Sequence, residues 1–213
     1  FAFILRPHLF MPLQIKLLFS RKAGCRSAGQ CIKAHQFTGK FKSIMMDISV
    51  FTPDETPSVE VICIAVPVVI DGTTQAGFAG TPLIEIDGRD REIPACFNLT
   101  AGNSTLRGLI IDNFGSSIVT DAVLITGPGG NTITGCWFGL NSTGSSRSSI
   151  HGPSVHILNS PSNHIGGVTA ADRNLLSGGA EYPSVLIEGA LSKGNVVSGN
   201  WIGFNAAGTA LVS

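Results

Sequence analysis

The chain has 213 residues, with 14 Lys and Arg against 14 Asp and Glu, and is 13% charged and 43% apolar. That length suits one domain, or one and part of a neighbour, with a sizeable core. So low a charge content excludes a charge-rich disordered chain and a helical bundle with charge-laced surfaces. Zero net charge argues against nucleic acid as a partner held by a basic field.

Charge is unevenly placed along the chain. Residues 1–46 hold eight basic residues (Arg6, Lys16, Arg21, Lys22, Arg26, Lys33, Lys40 and Lys42) and no acid, and show no period of 2 or 3.6. The apolar run Leu9–Ile15 and the small residues Ala23-Gly24-Cys25 are compatible with a degraded secretory signal, although Arg21-Lys22 sit where a cleavage site should be clean. No run approaches the roughly 18 apolar residues of a membrane span. Residues 1–50 are therefore expected to be an irregular or disordered segment, a targeting remnant or a non-native extension. The chain opens on Phe1, so its true start is expected to lie elsewhere.

From about Thr52 the texture changes to short β-branched runs punctuated by Gly, Asn and Pro. Val66–Ile70, Leu83–Ile86, Leu109–Ile111 and Ala122–Ile125 read as short strands bounded by turns, with nothing of helical length between them. The cysteines at 25, 31, 63, 96 and 136, without a C-x-x-C, make no disulfide framework.

The second half repeats. Gly130-Asn131 to Gly144 returns as Gly194-Asn195 to Gly208, identical at seven of 15 positions at a spacing of 64. The half-period is present too, since N-x-[IV]-x-G occurs at Asn131, Asn163 and Asn195, with Gly135, Gly167 and Gly199 as turn residues. Ala122–Ile125 and Ser154–Ile157 begin nine residues before the first two Asn. Ser184–Ile187 begins eleven before the third, the mark of a two-residue loop insertion. Asn103-Ser-Thr-Leu106-Arg-Gly108 reads as a looser earlier copy. The unit is strand, turn, Asn, short strand, Gly turn, about 32 residues long and repeated three to four times. Such a unit cannot bury an apolar face alone, so units must stack. A parallel β-helix, in which Asn stacks on Asn and Val or Ile on Val or Ile, fits best, and a sandwich of short strands is the alternative.

The segments Val66–Gly88, Asn163–Gly178 and Gly194–Gly203 resemble bacterial right-handed parallel β-helix repeat proteins, which are large secreted or surface-attached chains with a pectate-lyase-like solenoid. The resemblance covers about 66–213. It implies an all-β fold, a β-helix domain over 51–213, an extracellular or cell-surface location and, since Ser213 falls where another coil would begin, further coils of a longer chain as a partner.

Candidate chemistry is sparse. His8, His35, His151, His156 and His164 have no metal-site spacing, and no Cys pair brackets a zinc site. His156 and His164 fall within one repeat and read as exposed polar positions. No cofactor or resident metal is expected; the single carboxylates Asp71, Asp87, Asp90 and Asp112 near turns leave room only for an incidental Ca²⁺. The densest charge cluster runs from Glu85 to Glu92. Glu85 and Asp87 alternate with Ile84 and Ile86 and so share a strand face, which with Arg89 makes them the catalytic candidates for a lyase or glycosidase. The competing reading is ordinary loop charge. Trp137 and Trp201, equivalent positions two units apart, are candidates for a sugar-binding platform, against the plainer reading of lateral packing.

Two functions remain. One is a non-catalytic secreted or surface solenoid, structural or adhesive, with glycan as its partner; the other is a lyase or hydrolase of uronate-rich polysaccharide. Enzyme solenoids tend to break their repeat with long cleft-building loops, and the repeats here are separated by a two-residue insertion at most, which favours the first.

Overall fold

A computed structural model describes residues 62–212 except 92, 178 and 180, together with the backbone of β1 (Phe3–Pro7), β2 (Leu18–Phe19) and β3 (Met45–Met46). The expectation of a targeting or non-native segment over residues 1–50 therefore falls almost wholly outside the described residues.

The described residues from Ile62 onward wind through five coils of three short strands. They are β4 (Ile62–Ile64), β5 (Val68–Asp71) and β6 (Ile84–Arg91); β7 (Ala95–Leu99), β8 (Thr105–Arg107) and β9 (Leu109–Phe114); β10 (Asp121–Ile125), β11 (Thr132–Thr134) and β12 (Trp137–Phe138); β13 (Val155–Leu158), β14 (His164–Gly166) and β15 (Leu175–Leu176); and β16 (Val185–Glu188), β17 (Val196–Ser198) and β18 (Trp201–Ile202). Every third strand pairs in parallel, giving a first sheet β4-β7-β10-β13-β16, a second β5-β8-β11-β14-β17 and a third β6-β9-β12-β15-β18. The fold is a parallel β-helix. A sandwich is excluded, because every ladder between strands of the five coils is parallel. Antiparallel pairing occurs where β1 lies along β6, with β3 outside it, and where β2 lies along β5.

Alternation within strands explains the core. Inward residues stack on their own kind, as in the column Ile64, Leu99, Ile125, Ile157, Ile187 of the first sheet and Ile70, Leu106, Ile133, Ile165, Val197 of the second. Leu99, Ile125 and Ile157 are fully buried, whereas Ile187 in the last described coil is 41% exposed. Burial is thus supplied by the neighbouring coil, as expected for strands too short to hide a face themselves.

The coils are less uniform than a 32-residue unit. Ile62, Phe97, Val123, Val155 and Val185 form one column, so successive coils consume 35, 26, 32 and 30 residues, the differences of those numbers. The Asn column advances by 32 twice, while in the third sheet Trp137 to Leu175 takes 38 and Leu175 to Trp201 takes 26. The six extra residues of the first step lie between β14 and β15: Ile165 to Leu175 is ten residues, against four from Ile133 to Trp137. The two-residue insertion falls between β16 and β17: Ile187 to Val196 is nine residues, against seven from Ile157 to His164.

Candidate functional site

The repeat turns come first, because they fix everything outside them. Asn131 donates from N and Nδ2 to Oδ1 of Asn163 (3.0 and 2.9 Å), and Asn163 donates likewise to Oδ1 of Asn195 (2.8 and 2.9 Å). Asn131 Oδ1 accepts from N of Ser104 (2.9 Å). The register therefore sets Ser104 opposite Asn131, a one-residue correction to the alignment on Asn103, which instead adopts a left-handed backbone (φ 57) just before it. A second ladder was not foreseen: Asn174 accepts from N of Cys136 (2.9 Å) and donates to Oδ1 of Asn200 (3.0 Å). Its members begin the third strand of consecutive coils, but the 26-residue step between them hides the repeat at a 32-residue period. Gly135 (φ 61) and Gly199 (φ 65) turn in the left-handed region; at Gly199 a Cβ would run into the carbonyl oxygen of Gly167. In the intervening coil Gly166, not Gly167, takes the positive φ (87).

On the third sheet, Glu85 and Asp87 face outward in alternation with the core residues Ile84 and Ile86, and Asp87 lies beside Asp112 in register. The side chain of Arg89 lies outside the described residues. Asn113 Nδ2 donates to Asp87 Oδ1 (3.2 Å) and accepts at Oδ1 from Ser148 (2.6 Å), while Ser148 N donates to Gly139 O (2.8 Å). The segment around Ser148 thus returns over this face. Asp112 is 1% exposed and its Oδ1 has no hydrogen-bond partner. Burial, offset in part by Ser148 and reinforced by the negative charges of Glu85 and Asp87, pushes its carboxyl up to about 7. Sequence reasoning singled out the two flanking carboxylates and placed Asp112 only as a lone turn residue.

The Trp pair does not form a platform. Trp137 is 8% exposed and packs with Ile110, Leu140 and Leu175 in an apolar cluster outside the third sheet. The connection after β12 folds back so that a Cβ on Gly144 would lie 2.7 Å from Trp137 Cζ3, which leaves the ring no free face. Trp201 is half-buried, with the guanidinium of Arg173 4.1 Å from its ring centroid and Phe204 6.4 Å away.

The first sheet carries a site that the sequence did not disclose. Leu124, His156 and Leu186 stand in one outward row on β10, β13 and β16. His156 Nδ1 lies 2.9 Å from Oδ2 of Asp121 and Nε2 lies 3.2 Å from Oε1 of Glu188, so one imidazole bridges carboxylates from the coils on either side. Burial raises the Asp121 carboxyl, and the contact with His156 opposes that rise. Asp121 and His156 line a groove of about 340 Å³ whose walls are otherwise apolar, built largely from Leu124, Leu158, Leu186, Pro94, Pro153 and Tyr182; Glu188 stands outside that lining, beside Leu158 in register. Tyr182 is held edge-on to His151, with centroids 5.6 Å apart at 69°. The steps from Asp121 to His156 and from His156 to Glu188 are 35 and 32 residues, close to a coil length, and become meaningful only once the register is known.

Of the other single carboxylates, Asp71 is tied into the coil framework and the side chain of Asp90 lies outside the described residues. Asp71 binds Arg107 across adjacent coils (Nε to Oδ1, 3.1 Å, and a second contact from Nη2) and accepts from Thr73. Burial raises its carboxyl, but these hydrogen bonds outweigh burial and hold it below the usual range. Burial pushes the thiols of Cys96 and Cys136 up, Cys136 to about 12, so both are inert core groups. Among the described residues no three His, Cys, Asp or Glu side chains are grouped to hold a metal, and no helix is long and apolar enough to cross a membrane. Comparison with protein-family models, with curated proteins and with solved structures returned no match.

Proposed function

We propose that the chain is a non-catalytic module of a secreted or cell-surface protein, structural and adhesive, that displays the outer faces of its coils to glycan. The reading extends the resemblance to secreted pectate-lyase-like solenoids. The observation that carries it is accessibility. The third-sheet carboxylates are the natural acid–base set, yet Asp112 is 1% exposed and out of reach of a polymer. The first-sheet groove opens at the surface and joins apolar walls to a polar edge, a composition that suits a sugar ring's apolar faces and hydroxyl rim. A glycan array with the purified chain tests this. Retention of at least one glycan class is expected, and no retention across the array overturns it.

A second reading, a lyase or hydrolase of uronate-rich polysaccharide, is favoured by one observation. Asp112 holds a proton near neutrality beside the carboxylates Glu85 and Asp87, which is the division of labour that acid–base cleavage of a glycosidic bond needs. It requires the segment around Ser148 to open. Release of reducing ends or unsaturated uronate from pectin-like or alginate-like chains, abolished in Asp112→Asn, would establish it.

A further inference from the structure

The first-sheet groove carries a more specific inference, which rests on the glycan-binding reading and names the sugar. The floor carries aliphatic side chains, Leu124 and Leu186 in the outward row of His156 and Leu158 two residues further along β13, on strands stacked about 4.8 Å apart. These leucines, set on three adjacent coils with His156 between Leu124 and Leu186, offer apolar patches to the flat faces of linked pyranose rings, and Tyr182 adds an aromatic wall. The charged or titratable lining groups are Asp121 and His156, and Glu188, beside the lining residue Leu158 in register, reaches His156 from outside the lining.

The charge of these three side chains decides the class of ligand. Two carboxylates face one imidazole, and no Lys or Arg lines the groove. Asp121 and His156 are nearly enclosed, at 10% and 14% side-chain exposure, whereas Glu188, next to the lining residue Leu158, is 52% exposed and leaves a carboxylate open beside the groove. A uronate chain would bring further negative charge against this edge in a partly desolvated groove, where like charges repel most strongly. A cationic sugar would instead be drawn to it. We propose that the groove binds a polysaccharide containing hexosamine with free amino groups, the ring faces lying on Leu124, Leu158 and Leu186 against Tyr182 and an ammonium group pairing with Glu188.

Calorimetric titration of the full chain with three probes tests this: a glucosamine oligomer, its N-acetylated counterpart and an oligogalacturonate. The glucosamine oligomer is expected to bind most tightly, to weaken as salt rises, and to lose about tenfold in affinity in Glu188→Gln, the scale of one charge-assisted contact. The acetylated oligomer should be insensitive to Glu188→Gln but weakened by Tyr182→Ala. Circular dichroism of both variants, whose side chains lie at the surface, keeps misfolding apart from lost binding. Equal affinity for the amino and acetylated oligomers, or preference for the galacturonate, overturns the hexosamine assignment while leaving glycan binding intact. Glucosamine binding untouched by both substitutions overturns the groove as its site. Absence of binding to these probes and to every glycan of the array removes both readings together.

Discussion

Asn163 ties together three coils. It is fully buried, accepts from Asn131 above it and donates to Asn195 and to Ser160 within its own turn. Replacing it with Ala would strand the amide of Asn131, itself 0% exposed, without an acceptor. Asn163→Ala should therefore lower stability by about 2–4 kcal/mol, the cost of one or two buried orphan donors. In urea this reads as a lower midpoint at unchanged slope. Asp112 makes the opposite kind of contribution. Its folded-state pKa of about 7 stands above the ordinary 3.8, so the folded protein keeps a proton that the unfolded chain releases. Stability from this group is complete below about pH 4 and is lost as pH rises to about 7, by a total on the order of 4 kcal/mol. Asp112→Asn should flatten that part of the stability–pH profile and raise the unfolding free energy at pH 8; an unchanged profile would show that Asp112 ionises normally. The Asn column was legible in the sequence because its step is constant at 32. The Asp112 environment was not, because it depends on the distant Ser148 segment returning over β9.

At the scale of elements, the inward columns follow directly from alternation in the β-branched runs, which is why the parallel β-helix could be expected from sequence. What period counting concealed was the third strand of the last three described coils. Trp137–Phe138, Leu175–Leu176 and Trp201–Ile202 are two residues long, too short to alternate visibly, and were absorbed into the glycine turn. The same short strand explains why Trp137 resembled a platform: nothing local reveals that the connection after β12 folds back on it. Gly144 is the residue that permits this close approach, with φ 65 and no room for a Cβ between Trp137 and Ala206. Gly144→Ala should cost about 1–3 kcal/mol through strain and overpacking and shift the tryptophan emission to the red as the ring gains solvent. Gly80→Ala, also at positive φ (99) but with nothing within 4 Å of the added carbon, is the control and should cost less and leave the emission unchanged.

For the molecule as a whole, low charge content is a property of the architecture. Rungs are built from apolar columns inside and from Asn, Ser, Thr and Gly at corners that hydrogen-bond to one another, so few positions call for charge. Among the described residues two groups of charges stand out, three carboxylates on the third sheet and the Asp121–His156–Glu188 line on the first. The first set was half visible in the sequence as Glu85 and Asp87; the second was invisible, since its members are separated by whole coils. The central claim is that the chain holds a glycan without cleaving it. The most direct test is a mass balance on bound polysaccharide. The purified chain is incubated with each glycan it retains and with pectin-like and alginate-like chains, with and without Ca²⁺, and reducing ends, unsaturated uronate and intact bound polymer are followed together. The account predicts retained polymer of undiminished length and no new ends; progressive shortening that disappears in Asp112→Asn would contradict it.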